Sequence, residues 1–353
     1  MQLSTIMKKI LSDALVEGRN YVMRKYVYNR VKENTKSVVL TGKQKKEIKE
    51  FYSKYGKVSW DFHNFYLEKT GRYAVNYLPE DVYFTKICRF YNEYLVARVI
   101  NNKCDYPRIF PNVPQPEMIA YKRGDYWFAG DELITEEKLI EIMNREGKGF
   151  IKVTTATGGG SGVTYVDKSK DKDYEKTILK VIGGIQKDIV IQRPLSQHKD
   201  LSKLNESSVN TMRIVTMFRN GEVKIYSSLL RIGKANAKVD NRSISVGITP
   251  DGKLKEYGYY LTGERVTSHP ASGVVLKDYQ LPSYQEAREL VKKAHLRIPQ
   301  FKLASWDIAI REDGTPTLIE VNINDGEISF HQLNNGPLFG DDTKEILDEV
   351  FGK

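Results

Sequence analysis

Apolar side chains in residues 3–36 recur near helical spacing, at Leu3, Met7, Ile10 and Ala14, with Lys and Arg between them. Residues three and four apart share one face of a helix, so this pattern predicts one or two amphipathic helices. Gln44 to Tyr55 continues in the same style, and a further helical pattern runs through Asp81–Ile100. The aromatic stretch VSWDFHNFYLEKTGRYAVNYLPEDVYF between them predicts short packed helices and loops. The Pro-containing run PRIFPNVPQPE then closes the helical part, and a lobe boundary is expected near residue 115. Beyond it the texture changes to short β-rich runs: GKGFIKVTT, KDIVIQRPL, TMRIVTMF, VKIYSSLLRIG, KLASWDIAI and TPTLIEVNI. Helices are expected among them at Glu136–Arg145, Lys172–Ile182 and Ser283–His295. Strands mixed with helices imply an α+β or α/β architecture. There is no internal repeat and no low-complexity tract.

Composition narrows the class. At 353 residues the chain is long enough for two or three lobes, and 40% hydrophobic with 28% charged residues is an ordinary globular balance. No run approaches the roughly 18 uninterrupted apolar residues of a membrane span. The first twenty residues lack the apolar block and cleavage site of a secretory signal. Two cysteines, Cys88 and Cys104, show neither a pairing pattern nor metal-ligand spacing, so a reduced cytoplasmic setting is expected. The net charge is +10, and residues 1–50 hold twelve Lys and Arg against five Asp and Glu. Such an excess suits an anionic partner (nucleic acid, an acidic lipid surface or a phosphorylated substrate), and a solvated helix face is the competing reading.

Candidate chemistry lies in FKLASWDIAIREDGTPTLIEVNIND. Asp-Gly is a strong two-residue hairpin signal. With Asp313 and Gly314 as the turn, Glu312 pairs with Thr315, and Asp307 falls directly opposite Glu320. Asn322, two residues on, projects from the same face as Glu320. Like charges facing each other on a sheet are destabilising, and a hard cation such as Mg²⁺, which takes carboxylate oxygens and substrate phosphates, removes the conflict. The alternative is a solvent-facing hairpin or a longer turn that shifts the register. The neighbours Trp306, Ile308, Ile310, Leu318, Ile319 and Val321 favour a buried hairpin and therefore the metal.

Upstream, FIKVTTATGGGSGVTYV places Lys152 on a strand leading into a loop with Gly158, Gly159, Gly160, Ser161 and Gly162. Glycines let backbone N–H groups approach an anion closely, and Ser161 adds a hydroxyl donor. The run matches neither G-x-x-x-x-G-K-[ST] nor G-x-G-x-x-G, and a flexible hairpin loop remains the alternative. Neither G-x-S-x-G nor H-E-x-x-H occurs, and the five histidines are scattered.

Together these stretches resemble the ATP-grasp superfamily, and within it the sugar-transfer-associated ATP-grasp proteins. The matching segments are IKVTTATGGGSGV, IVIQRPL, SSVNTMRIVTMF, LLRIGKANAKVDN, WDIAI and LIEVN, over roughly residues 95–335. The resemblance implies an α+β ATP-grasp fold, two α+β lobes enclosing ATP, behind a basic helical N-terminal region. It implies divisions at 1–94, 95–148, 149–195 (small lobe) and 196–353 (large lobe). Lys103 and Lys152 would contact the ATP phosphates. Gln192, Arg193 and Leu195 would form the adenine hinge, and Asp200 would contact the ribose or serve as a helix N-cap. Asp307, Glu320 and Asn322 would be the metal ligands. Arg231 would neutralise the γ-phosphate, Arg213 would hold a phosphate or carboxylate, and Asn241 would polarise the same group. SISVGIT departs from the family pattern, where a Gly pair is expected.

The implied activity is an ATP-grasp ligase that converts a carboxylate to an acyl phosphate and then to an amide, releasing ADP and phosphate. Its cofactors would be ATP and two Mg²⁺ ions, with Mn²⁺ as a substitute. The implied acid is a uronic acid or similar sugar carboxylate of surface polysaccharide biosynthesis, free or lipid-linked, and the amine an amino acid. Peripheral association with the inner membrane face would follow from the basic segment. The rival readings are a peptide ligase of the glutamate-ligase type and a basic nucleic-acid or membrane-binding module with a regulatory nucleotide site.

Overall fold

The computed structural model describes residues 2–154, 162–233, 244–324 and 326–352. Chain contacts divide it into two units: Met1–Glu93 with Tyr259–Arg265 and Asn324–Lys353, and Tyr94–Gly258 with Val266–Ile323.

The first unit is helical. Its leading element is one continuous helix, Gln2–Asn34. Helix Gly42–Tyr52 starts with a capping box, in which Thr41 accepts the Gln44 amide and the Gln44 side chain accepts the Thr41 amide. The pattern at 81–100 does not form one helix. Glu80–Val82, a π turn at Tyr83–Ile87 and Cys88–Tyr91 follow one another, and extended Asn92 (φ −135°, ψ 125°) separates them from Tyr94–Ile100. Glu80, fully buried, is paired with Arg30, which also bonds Glu327 Oε1 and Ser329 Oγ, both at 2.6 Å. His331 and Gln332 lie in the buried helix Ser329–Asn335, where Gln332 bonds the Leu78 backbone on both sides.

The second unit contains two sheets. The first comprises β1 (Met118–Arg123), β2 (Tyr126–Ala129), β3 (Glu132–Ile134), β4 (Lys148–Val153), β5 (Val163–Asp167) and β6 (Ile189–Gln192), in the order β3-β2-β1-β6-β4-β5. Strands β1–β3 form a meander that the sequence pattern leaves unassigned, because Gly124 and Gly130 make its turns inside a charged stretch. Helices Glu136–Glu146 and Tyr174–Gly183 cover one face, burying Leu139, Met143, Ile178 and Ile182 against Ile119, Ile151, Ile189 and Ile191. The second sheet comprises β7 (Thr211–Arg219), β8 (Glu222–Ile232), β9 (Ile244–Ile248), β10 (Leu254–Tyr259), β11 (Arg265–Val266), β12 (Leu303–Ile310) and β13 (Pro316–Asn322), in the order β11-β10-β9-β8-β7-β12-β13.

Every residue of β12 is buried. On one face Trp306 donates to Thr216 Oγ1 at 2.7 Å, and that hydroxyl meets His295 Nδ1 of helix Tyr284–His295, also at 2.7 Å. The opposite face carries Ser305 and Asp307. No helix among the described residues is long and apolar enough to cross a membrane.

Candidate active site

The hairpin that carries the carboxylates differs from the expected one in its turn. The Arg311 amide donates to Thr315 O and the Gly314 amide to Arg311 O, so the loop holds three residues, Glu312, Asp313 and Gly314. Gly314 adopts φ +84°, a left-handed conformation that favours glycine. The pairs nearest the turn, Ile310 with Pro316 through Ile308 with Leu318, are therefore one step out of the expected register. A bulge between Asp307 and Ile308 absorbs Ile319 and restores it, so Asp307 does face Glu320 and Ser305 faces Asn322.

The two carboxylates are not left in conflict. Arg213, opposite Asp307 on β7, grips it with a two-pronged bond: Nε to Oδ1 and Nη2 to Oδ2, each 2.7 Å. Lys103 Nζ donates to Glu320 Oε1 at 2.7 Å. The chain's own cations therefore resolve the like-charge pairing, which removes the argument that only a metal ion can. Burial pushes the Asp307 carboxyl upward, but Arg213, Arg231 and Lys103 outweigh it and hold the group below the usual carboxylate range.

Lys103 is buried on the short turn Lys103–Asp105. Asn102 fixes that turn by accepting the Cys104 amide, and the Cys104 thiol reaches Ile189 O. On β4, Lys152 Nζ donates to Gln192 Oε1 at 2.9 Å. Burial, aided by the charge of Lys103 and opposed by Glu320, lowers the Lys152 ammonium to about 8. Arg231 on β8 lies opposite Thr211 on β7 and Ser245 on β9, one step along the face from Arg213. Lys103, Lys152, Arg213 and Arg231 thus gather around Asp307 and Glu320.

The profile of the sugar-transfer-associated ATP-grasp family matches residues 84–346. The chain belongs to this family. Its fold is the ATP-grasp fold, with mixed helices and antiparallel sheets behind a helical N-terminal segment. No curated protein matches the sequence. Among solved structures the chain is similar to D-alanyl-alanine synthetase A from Vibrio cholerae (14% identity, 72% of this chain and 64% of that one, TM-score 0.42). It is also similar to a D-Ala:D-Ser ligase from Enterococcus faecalis (14%, 72% and 62%, 0.42) and to the biotin carboxylase domain of a 2-oxoglutarate carboxylase from Hydrogenobacter thermophilus (12%, 75% and 48%, 0.45). It spans about half to two thirds of the length of these proteins.

Other positions expected of an ATP-grasp site make different contacts. Arg193 is exposed, forks onto Glu146 at 2.6 and 2.8 Å and pairs with Glu117, while its amide donates to Glu117 O. Leu195 lines a cleft of about 480 Å³ with Pro116, Ser196, Arg311 and Glu312. Asp200 bonds Lys203 at 2.7 Å and does not cap its helix: the cap of Lys199–Leu204 is His198, whose Nδ1 accepts the Asp200 amide. Gly158, Gly159, Gly160, Ser161 and Asn241 lie outside the described residues. Where a Gly pair was expected, SISVGIT supplies the buried strand β9.

Two features escaped sequence reasoning. Tyr106, buried edge-on against Phe110, accepts the Val321 amide through its hydroxyl at 3.0 Å and so props the strand between Glu320 and Asn322. Gly233, two residues after Arg231, is held from both sides, its amide donating to Asn210 Oδ1 and its carbonyl meeting His269 Nε2 at 3.0 Å. Because the Ser272 amide donates to His269 Nδ1, the neutral ring carries its proton on Nε2 and donates it to Gly233 O. A Cβ at position 233 would lie 2.1 Å from Ser208 Oγ, so any side chain there requires that hydroxyl to turn away and give up its bond from Asn205 Nδ2. Nothing in the local sequence around Tyr106 or His269 marks either contact.

Proposed function

We propose that the chain is an ATP-dependent ligase that joins a carboxylate to an amine, spending ATP on an acyl-phosphate intermediate. The observation that carries this reading is the charge balance of the cluster: four cationic side chains, Lys103 from a turn, Lys152 from the first sheet and Arg213 and Arg231 from the second, surround two carboxylates. A bare divalent cation meets net positive surroundings there, whereas a polyphosphate carrying its metal is matched in charge. The donor set fits Mg²⁺, being oxygen only: Asp307, Glu320 and the amide oxygen of Asn322. Among the described residues Asn322 Nδ2 is buried without a partner, and turning the amide over would present the oxygen in its place. Among the described residues no three His, Cys, Asp or Glu side chains converge, which agrees with a metal held partly by phosphate. When bound, Mg²⁺ (two ions, replaceable by Mn²⁺) would neutralise phosphate charge.

In this reading Lys103 and Lys152 hold the phosphates, and Arg231 neutralises the transferred γ-phosphoryl group. Arg213 keeps Asp307 ionised and fixed, and Asn241 polarises the group in transfer. Gly158, Gly159, Gly160 and Ser161 cover the phosphates from the loop. Gln192, Arg193 and Leu195 flank adenine, with the Arg193 carbonyl rather than its committed amide as the contact, and Asp200 meets the ribose. The substrate carboxylate oxygen attacks the γ-phosphorus and ADP leaves. The amine then attacks the acyl carbon, loses a proton, and phosphate leaves. Such a reaction needs positioning and charge neutralisation rather than a protein nucleophile. The family supports a sugar acid, such as a uronic acid of a surface polysaccharide precursor, as the carboxylate, in a cytoplasmic setting.

The test is ADP release measured across uronic acids crossed with amino acids. The reading expects release only when both are present, and its loss in Glu320→Gln. Release with pairs of amino acids alone would replace the sugar acid with a peptide substrate. No substrate-stimulated release from any pair would refute the ligase.

A further inference from the structure

The long first helix exposes apolar side chains on its outer face. At 100° per residue, Tyr21, Val22, Lys25, Tyr26, Asn29, Lys32 and Glu33 fall within a sector of about 140°, and all seven are exposed. The opposite side of the same turns buries Asn20, Val27 and Val31. A helix packed on one side ordinarily turns charged and polar residues outward. Here Tyr21, Val22 and Tyr26 are 66%, 65% and 56% exposed.

Positive charge surrounds this face. Residues 17–57 hold twelve Lys and Arg against four Glu, which is most of the chain's net charge. Lys25, Lys32 and Lys36 are exposed along and beyond the outer face, and Lys32 Nζ lies 4.6 Å from the centre of the Tyr28 ring. On the flank, partial burial and the neighbouring charges of Arg19 and Arg24 hold the Arg89 guanidinium below its ordinary value. Val38 and Val39, 59% and 41% exposed, extend the apolar surface past the helix end, beside Lys36.

We propose that this face docks on an anionic lipid surface, with Tyr21, Val22 and Tyr26 entering the headgroup boundary and Lys25, Lys32 and Lys36 meeting lipid phosphates. The helix is not apolar enough to span a bilayer, so it lies in the interface plane. Aromatic rings and lysine stems are the side chains that suit that plane, with an apolar body and a polar tip. A second copy of the chain fits less well, because a two-fold contact sets Lys25 and Lys32 against like charges. Nucleic acid offers phosphates but no hydrocarbon for Val22. The inference is independent of the ligase reading, since none of these residues belongs to the carboxylate site.

The experiment is co-sedimentation of the full chain with phosphatidylcholine vesicles containing none or 30% (about a PS-rich membrane) anionic phosphatidylglycerol, at low and high salt. Binding is expected only to the anionic vesicles, weakened at high salt. The variant Tyr21→Ser/Val22→Ser/Tyr26→Ser should bind at least about tenfold more weakly, as should Lys25→Glu/Lys32→Glu. Both variants alter exposed positions, and unchanged circular dichroism checks their folding. No binding to anionic vesicles, or equal binding by both variants, overturns the proposal. So does a wild-type dimer that the serine variant converts to monomer without vesicle binding by either, or tighter binding to duplex DNA than to vesicles.

Discussion

Two arginine–carboxylate forks with nearly the same geometry stand in contrasting surroundings. Arg213 grips Asp307 with two 2.7 Å bonds, and the two side chains are only 11% and 8% exposed. Arg193 grips Glu146 at 2.6 and 2.8 Å, with the arginine 45% exposed. Hydrogen-bond length does not distinguish them; solvent does. Glu146 is 13% exposed, but water reaches Arg193, which keeps its pair with Glu117 if Glu146 is lost. The Arg213 fork is shielded from water on both partners, so breaking it removes a charge pair in a buried setting. The comparison separates a pair shielded on both partners at the candidate site from one whose arginine faces water and holds a second glutamate.

The largest expected effect follows from that contrast. Asp307→Ala should lower unfolding free energy by about 3–5 kcal/mol, measured by chemical denaturation, because it removes one side of a buried two-bond ion pair. Adding Arg213→Met should recover much of the loss without restoring ATP turnover. His269→Ala should cost about 1–3 kcal/mol by depriving the buried Gly233 carbonyl of its donor, and His269→Gln should recover part of it.

Lys152 probes the same interior by pH. Its ammonium, at about 8, lies below the ordinary lysine value, so the native state gives up the proton first as pH rises. ATP affinity should therefore fall above pH 8, by up to about tenfold per pH unit, and Lys152→Arg should flatten that limb. The stability effect has the opposite sign. The cost of burying the charge is present in full below pH 8 and is relieved between 8 and the unfolded value near 10.5. The smallest effect belongs to the exposed fork, where Glu146→Ala should change stability by no more than about 1 kcal/mol.

The hairpin that carries Asp307 and Glu320 was legible because its two strands are short apolar runs joined by an Asp-Gly turn signal. The Asp307–Glu320 pairing was read correctly from an incorrect turn: a loop one residue too long and a one-residue bulge cancel, and pattern alone reveals neither. The role of Arg213 as the partner of Asp307 was hidden, because it depends on β7 lying beside β12, a pairing about ninety residues apart in sequence. Helices Glu136–Glu146, Tyr174–Gly183 and Tyr284–His295 fell close to their expected bounds because their apolar periodicity is strong. Strands β1–β3 were missed, since glycine turns every few residues leave too short a pattern to read. Tyr106 and His269 act through single contacts to distant backbone atoms, for which local sequence has no signature.

The central claim is that this cluster accepts a metal-bearing polyphosphate rather than a metal alone. Calorimetric titration with Mg²⁺, with ATP, and with both tests it most directly, in wild type and in Glu320→Gln. The account predicts no heat from Mg²⁺ alone, Mg²⁺-enhanced binding of ATP, and loss of that enhancement in the variant. Tight Mg²⁺ binding without nucleotide, or Mg²⁺-enhanced ATP binding unchanged in Glu320→Gln, would contradict it.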